Sequence, residues 1–178
     1  MKTGSTSKAK GSKESTMFTL KVTLLFMVSY LVIGAIAYQL VTKQFYVGEN
    51  SIFTMYLRSE SNPDQWKHVM QWQFPMLFLR SLLIAFVLLP FVAALRGFSF
   101  KKCVGTLFAM VFVLTHLSSA APSPGNIEGI VYMRPELMNI KVFLLTQIEM
   151  ILQSLIFAFG AALIIRKQAK ITPQRLDK

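Results

Sequence analysis

Cysteine is almost absent from the chain: Cys103 stands alone among 178 residues. A single thiol excludes an intramolecular disulfide framework and any multi-cysteine metal site. Histidine is nearly as scarce, with only His68 and His116. Neither a histidine cluster, an HExxH helix nor a glycine-rich phosphate loop is present, so no metal and no cofactor is expected. No Asn-x-Ser/Thr triplet occurs, which leaves an N-glycosylated surface without support. Charged residues supply 15% of the chain, against roughly a quarter in soluble domains. Acids are the rarest, eight against nineteen Lys and Arg, for a net charge of +11. That excess would suit nucleic acid if it formed one basic face. It does not: the charges flank apolar segments, which excludes nucleic acid as a partner.

What the chain has is hydrocarbon. Hydrophobic residues make up 53%, with fifteen Phe and ten Met to fill irregular apolar space. A helix crossing a bilayer needs about 20 mostly apolar residues, because the core is roughly 30 Å thick and each residue rises 1.5 Å. Four segments qualify: 17–42, 74–95, 103–121 and 140–165. Each must be helical, since every backbone polar group in lipid needs an internal partner. Four strands are too few for a barrel, and the alternating polarity of a barrel is missing. The expected fold is an all-α membrane protein, a bundle of four transmembrane helices.

Flanking charge sets the expected orientation. Lys2, Lys8, Lys10, Lys13, Lys21, Arg96, Lys101, Lys102, Arg166, Lys167, Lys170, Arg175 and Lys178 fall on one side. Only Lys43, Arg58, Lys67, Arg134 and Lys141 fall on the other. The richer side is the cytoplasmic one, so both termini are expected there, in a cell membrane (bacterial inner membrane or plasma membrane). Ala35-Ile36-Ala37 resembles a signal-peptide cleavage site, but the apolar run continues through Leu40 and Val41 and is long for a signal sequence.

The pieces between spans are small. Residues 1–16 are polar and basic, a disordered tail that serves as a topology signal and suits an anionic leaflet. Residues 43–73 form the larger outer loop, in which Asn62-Pro63-Asp64 reads as a helix start. A short interfacial helix follows, with Trp66 and Trp72 at the water boundary; a lid over an outward-facing cavity is the alternative. Residues 96–102 make a tight inner hairpin, beside which Cys103 is either a plain thiol or an acylation site. Residues 122–139 are rich in Pro and Gly, and Ile130 to Met133 is an apolar piece able to dip toward lipid. Residues 166–178 form a second basic tail. No internal repeat links the halves.

Helices in lipid associate through small residues that let backbones approach. Ser154, Ala158 and Ala162 recur every fourth residue in the last span, and Gly105 and Ala109 do so in the third. Gly34 lies on a stripe of the first span with Thr23, Tyr30, Ala37 and Val41. Pro90 should kink the second span near its inner end. Glu149 and Gln153 give the last span a polar face besides its small-residue face, so that span is expected at the centre.

Three ionisable residues lie inside the spans. His116 sits about 6 Å, Arg80 about 9 Å and Glu149 about 13 Å below the outer boundary at 1.5 Å per residue. An intramembrane charge costs at least about 2.5–3.5 kcal/mol. Glu149 therefore needs Arg80, His116, Gln153, a cation or a proton. These four residues form the candidate polar cluster, either a structural ion pair fixing helix register or a functional site. Arg80 also has the option of snorkelling to the interface, and His116 of simple packing.

No catalytic constellation stands out. A pairing of His116 with Ser118 or Ser119 is too ordinary in context to assign. The expected role is a non-enzymatic subunit acting through the bilayer, through copies of itself or through other membrane proteins. A small transporter or channel subunit using Glu149 is the first alternative, its ion or small-molecule substrate unspecified. A membrane-embedded enzyme using His116 and Glu149 is the second.

Overall fold

The computed structural model describes residues 4–48, 51–55, 57–58, 60–133 and 135–171, with side chains from residue 13 to residue 167. Every regular element among the described residues is helical. Four stretches are long and apolar enough to cross a membrane: Lys13–Tyr46, Pro63–Arg96, Phe100–Leu117 and Ile140–Lys167.

Helix α1 (Gly4–Ala37) carries no proline, and no glycine interrupts it between Gly11 and Gly34. It starts ahead of the Met17 expected. The backbone of residues 4–16, expected as a disordered tail, continues the same helix, because extending a formed helix adds one hydrogen bond per residue without a new nucleation cost. Residues 1–3 and 172–178 lie outside the described residues. At its far end α1 widens into a π-helical turn, Tyr38–Thr42, closed by the Lys43 amide donating to the Tyr38 carbonyl. The short α2 (Lys43–Tyr46) follows, and the residues at Ile52–Met55 form one 3-10 turn.

Helix α3 (Pro63–Leu88) begins where Asn62 Oδ1 accepts the Gln65 amide at 3.2 Å. The interfacial helix expected over 63–73 is not a separate element. It runs straight through Pro75 into the second apolar stretch; proline removes one backbone bond there without ending the helix. Pro90 acts at its expected place, in a 3-10 turn at Leu89–Phe91 that leads to α4 (Val92–Arg96).

The inner turn is shorter than expected, residues 97–99 alone, before Ser99 caps α5 (Phe100–Ala109). The third stretch ends at Leu117, not at Ala121, as π-helical turns over Met110–Leu117. Ser118 closes them, its amide and its hydroxyl both donating to the Val113 carbonyl. A short α6 (Ile127–Tyr132) and the long α7 (Ile140–Ile171) complete the chain.

Helix α7 packs against α1, α4 and α5, while α3 packs mainly against α1. The last stretch thus holds the central place expected of it. Ala158, Ala161 and Ala162 are fully buried and Ser154 nearly so, the close backbone approach that small residues permit. Gly160 belongs to the same contact, since a Cβ there would lie 2.8 Å from Leu25 of α1. Phe26 meets Phe157 edge to face at 5.1 Å. Gly105 and Ala109 behave otherwise: they face outward, and nothing lies near the position of a Cβ on Gly105. They pack no helix of this chain.

The main apolar core, which includes Phe18, Leu88, Leu95, Leu107, Phe157 and Ile165, fills the end of the helices bearing the basic flanks. A smaller one, Phe45, Phe53, Met138 and Val142, caps the opposite end. Ala161→Leu would overpack the main core, and about 1–3 kcal/mol of destabilisation is expected, read as a lower melting temperature in detergent.

Candidate functional site

The polar residues lie in the gap between these two cores. Tyr30 and Gly34, four residues apart, share one face of α1, and Tyr38, four further on, opens the π-helical turn. Thr42 and Tyr46 extend that face through the π-helical turn. Tyr46 packs on Tyr38 at 5.5 Å and on Phe53 at 5.0 Å, which makes a continuous aromatic wall.

Glu149 of α7 stands opposite Gly34. Its Oε1 lies 3.6 Å from where a Cβ on Gly34 would be. Glycine therefore leaves room for the carboxylate, and any side chain longer than alanine would contest it. Among the described residues no hydrogen bond or ion pair reaches this carboxylate. It lines a cavity of about 460 Å³ with Tyr30, Gly34, Tyr38, Tyr46, Arg58, Glu60, Trp66 and Gln73. Tyr38 donates a hydrogen bond to Glu60 at 3.2 Å, which ties the outer loop to α1 across the cavity. Gln153, one turn from Glu149 on the same face of α7, is buried.

Arg80 is held differently. Its guanidinium lies over the rings of Phe26 at 5.8 Å and Tyr30 at 5.6 Å. No ion pair joins it to Glu149 among the described residues. Cation–π contact supplies roughly 0.5–2 kcal/mol, less than the roughly 2.5–3.5 kcal/mol that a charge costs in a bilayer. Arg80 lines a second cavity of about 380 Å³ with Arg58, His68, Trp72, Gln73 and Tyr30. Tyr30, Arg58, Val69 and Gln73 line both cavities, so the two are neighbours.

His116 is not part of this cleft. Its ring tilts against Phe112 at 5.9 Å and sits by the Gly125 backbone, with Nε2 buried and without a partner. Arg80 is within electrostatic range of it, whereas Glu149 is not. The structure therefore separates the candidate cluster into Glu149 with Gln153, Arg80 on its aromatic shelf, and His116 beside the outer loop.

That loop is organised by Asn126, which is fully buried. Its Oδ1 accepts from the amides of Gly129 at 2.7 Å and Ser123 at 3.1 Å, and its Nδ2 donates to the carbonyls of Ala121 at 2.8 Å and Ser119 at 3.3 Å. Gly125 turns with φ +92°, a conformation glycine adopts freely, and its carbonyl accepts a hydrogen bond from Gln147 of α7. A Cβ at Gly125 would collide with the Thr146 hydroxyl.

Tyr38, Tyr46, Arg58 and Asn126 were not singled out from the sequence. Tyr46 carried no signal, since sixteen residues from Tyr30 is about 160° round a regular helix, and only the π-helical turn brings it to the same wall. Among the described residues no group of three His, Cys, Asp or Glu side chains gathers as a metal site. Comparison with known proteins finds no matching family model, no similar curated protein and no similar solved structure.

Proposed function

We propose that the chain is a multi-pass protein of the cell membrane, its four long helices bundled with both termini cytoplasmic, that binds a small cation in an outward-open cleft. The carrying observation is the Glu149 carboxylate, which faces an aromatic-walled cavity and makes no hydrogen bond or ion pair among the described residues. A cation framed by tyrosine rings and one carboxylate gains both cation–π and ionic attraction. Tyr30, Tyr38, Tyr46 and Trp66 supply the rings, and Glu149 the charge. The depth of the carboxylate suits a transporter, receptor or channel subunit, with entry from the side of the outer loop. The enzymatic reading lacks support, since His116 and Glu149 stand apart.

A second reading, assembly with copies of itself or other membrane proteins, draws on one observation. Gly105, Thr106, Ala109, Met110 and Val113 line an open apolar groove of about 600 Å³ on the outward side of α5 and the turns that follow. The two readings are compatible: a subunit can bind a solute and still assemble.

Choline, titrated into the detergent-solubilised full-length chain, tests the first reading through tryptophan fluorescence, because Trp66 lines the cleft. Saturable change supports it; a flat response up to the millimolar range removes it. Orientation is tested in sealed cells with Cys103 replaced by Ser. A cysteine at Glu128 is expected to react with an impermeant maleimide from outside, and one at Lys101 only after lysis. The reverse pattern would turn the topology over.

A further inference from the structure

The two adjoining cavities carry opposite charge. The first holds both carboxylates of the region, Glu60 and Glu149. The second holds Arg80 and His68 and no carboxylate. Arg58 stands at their junction, because it lines both. Among the described residues neither arginine makes an ion pair or a hydrogen bond, and the Arg80 guanidinium is held only near the Phe26 and Tyr30 rings. The N–H groups of Arg80 are thus not engaged by other described residues, and these are the donors that grip a phosphate or carboxylate in a fork.

We infer that the ligand is a zwitterion, with its ammonium at Glu149 and its anionic group, a phosphate, between Arg58 and Arg80. This rests on the cation cleft proposed above and names what else the ligand carries. Along the axis of α1 the offset suits a short bridge: Glu149 stands level with Gly34 and Arg80 with Tyr30, four residues or about 6 Å apart in height. Two arginines with an imidazole at the same cavity favour phosphate over carboxylate, since phosphate offers more acceptor oxygens and more charge. Tyr30 lines both cavities and divides the two ends of the ligand. Charge also argues for this ligand over a plain cation. A bare cation would neutralise Glu149 and leave Arg58 and Arg80 unmatched, whereas an ammonium joined to a phosphate meets all three. An ammonium joined to a phosphate occurs both in phospholipid headgroups and in free solutes, and the chemistry is shared.

The test uses the two tryptophans, one at each cavity, in the full-length chain in maltoside detergent. Phosphocholine, choline and inorganic phosphate are titrated in turn. Phosphocholine is expected to bind at least about tenfold tighter than either part alone, the gain of one well-made charged contact. Arg58→Gln/Arg80→Gln is expected to erase that advantage while choline binding is kept or tightened, because two repelling charges are gone, and Glu149→Gln to weaken both. Retained choline binding shows that the double variant is folded; should it not fold, Arg58→Gln alone, on an exposed loop, carries the test. Equal binding of choline and phosphocholine, or an advantage that survives loss of the arginines, overturns the zwitterion and leaves the cation cleft standing. Phosphate binding as tight as phosphocholine overturns it as well. No binding of choline or phosphocholine at all removes the cation cleft and the zwitterion together. A short-chain phosphatidylcholine that outbinds phosphocholine identifies a lipid headgroup, and one that does not identifies a free solute; both support the shared chemistry.

Discussion

Glu149→Gln is expected to weaken choline binding roughly thirtyfold while the melting temperature in detergent holds or rises. The two halves of that result have one cause. A buried carboxylate within an ion pair would cost about 3–5 kcal/mol of stability on losing its partner. Glu149 has no partner among the described residues, so neutralising it removes a desolvation cost and breaks nothing. Glutamine keeps the shape and can still hydrogen-bond. What it lacks is the charge, and a loss of about 2 kcal/mol in a charged contact weakens binding roughly thirtyfold. The same logic fixes the double mutant. Arg80→Gln combined with Glu149→Gln should show a coupling below about 0.5 kcal/mol, the value for sites without a shared interaction. Strong single losses rescued in the double variant would instead reveal an ion pair and remove Glu149 as a ligand site.

Asn126→Ala should be the most destabilising substitution outside the helices, by about 3 kcal/mol, measured as a lower unfolding midpoint in detergent. Four hydrogen bonds end on this one fully buried side chain. Truncation strands two amides and two carbonyls, and each unsatisfied buried group costs roughly 1–3 kcal/mol, with water relieving the outermost. Asn126→Asp separates the contributions. It keeps the two bonds accepted by Oδ1, including the cap on α6, and loses the two donated by Nδ2. Its loss should therefore be about half. An alanine variant as stable as the parent would mean that the loop holds its turns without this residue.

The four long helices were legible because apolar runs of bilayer length admit no other local structure. Their ends were less so. Residues 63–73 read as a separate interfacial helix because Trp66 and Trp72 suit the water boundary, yet α3 runs on through Pro75, where proline fits the helical φ and costs one bond. The π-helical turns at Tyr38–Thr42 and Met110–Leu117 left no mark in the residue pattern, since both lie within uninterrupted helical sequence.

The site was half visible. Glu149, Arg80 and His116 stood out because charge in hydrocarbon is expensive. Their separation was hidden, because whether two charges at similar depth meet depends on the lateral order of the helices. Here α1 lies between α3 and α7, and the Tyr30 face of α1 comes between the two charges. The same geometry put Gly105 and Ala109 on the outside, although their spacing matched that of Ala158 and Ala162.

The uneven distribution of the two apolar cores has a mechanical consequence. The basic-flanked end is closely packed, with Gly160 set against Leu25 of α1 and the alanines buried, while the other end rests on a smaller core of four buried apolar side chains and the tethers of Asn126 and Tyr38. Local opening is cheapest where the fewest apolar contacts must separate. Opening is therefore expected first at the end away from the basic flanks, where residues 51–58 and the head of α3 can part from α1 while the alanine-packed end stays closed.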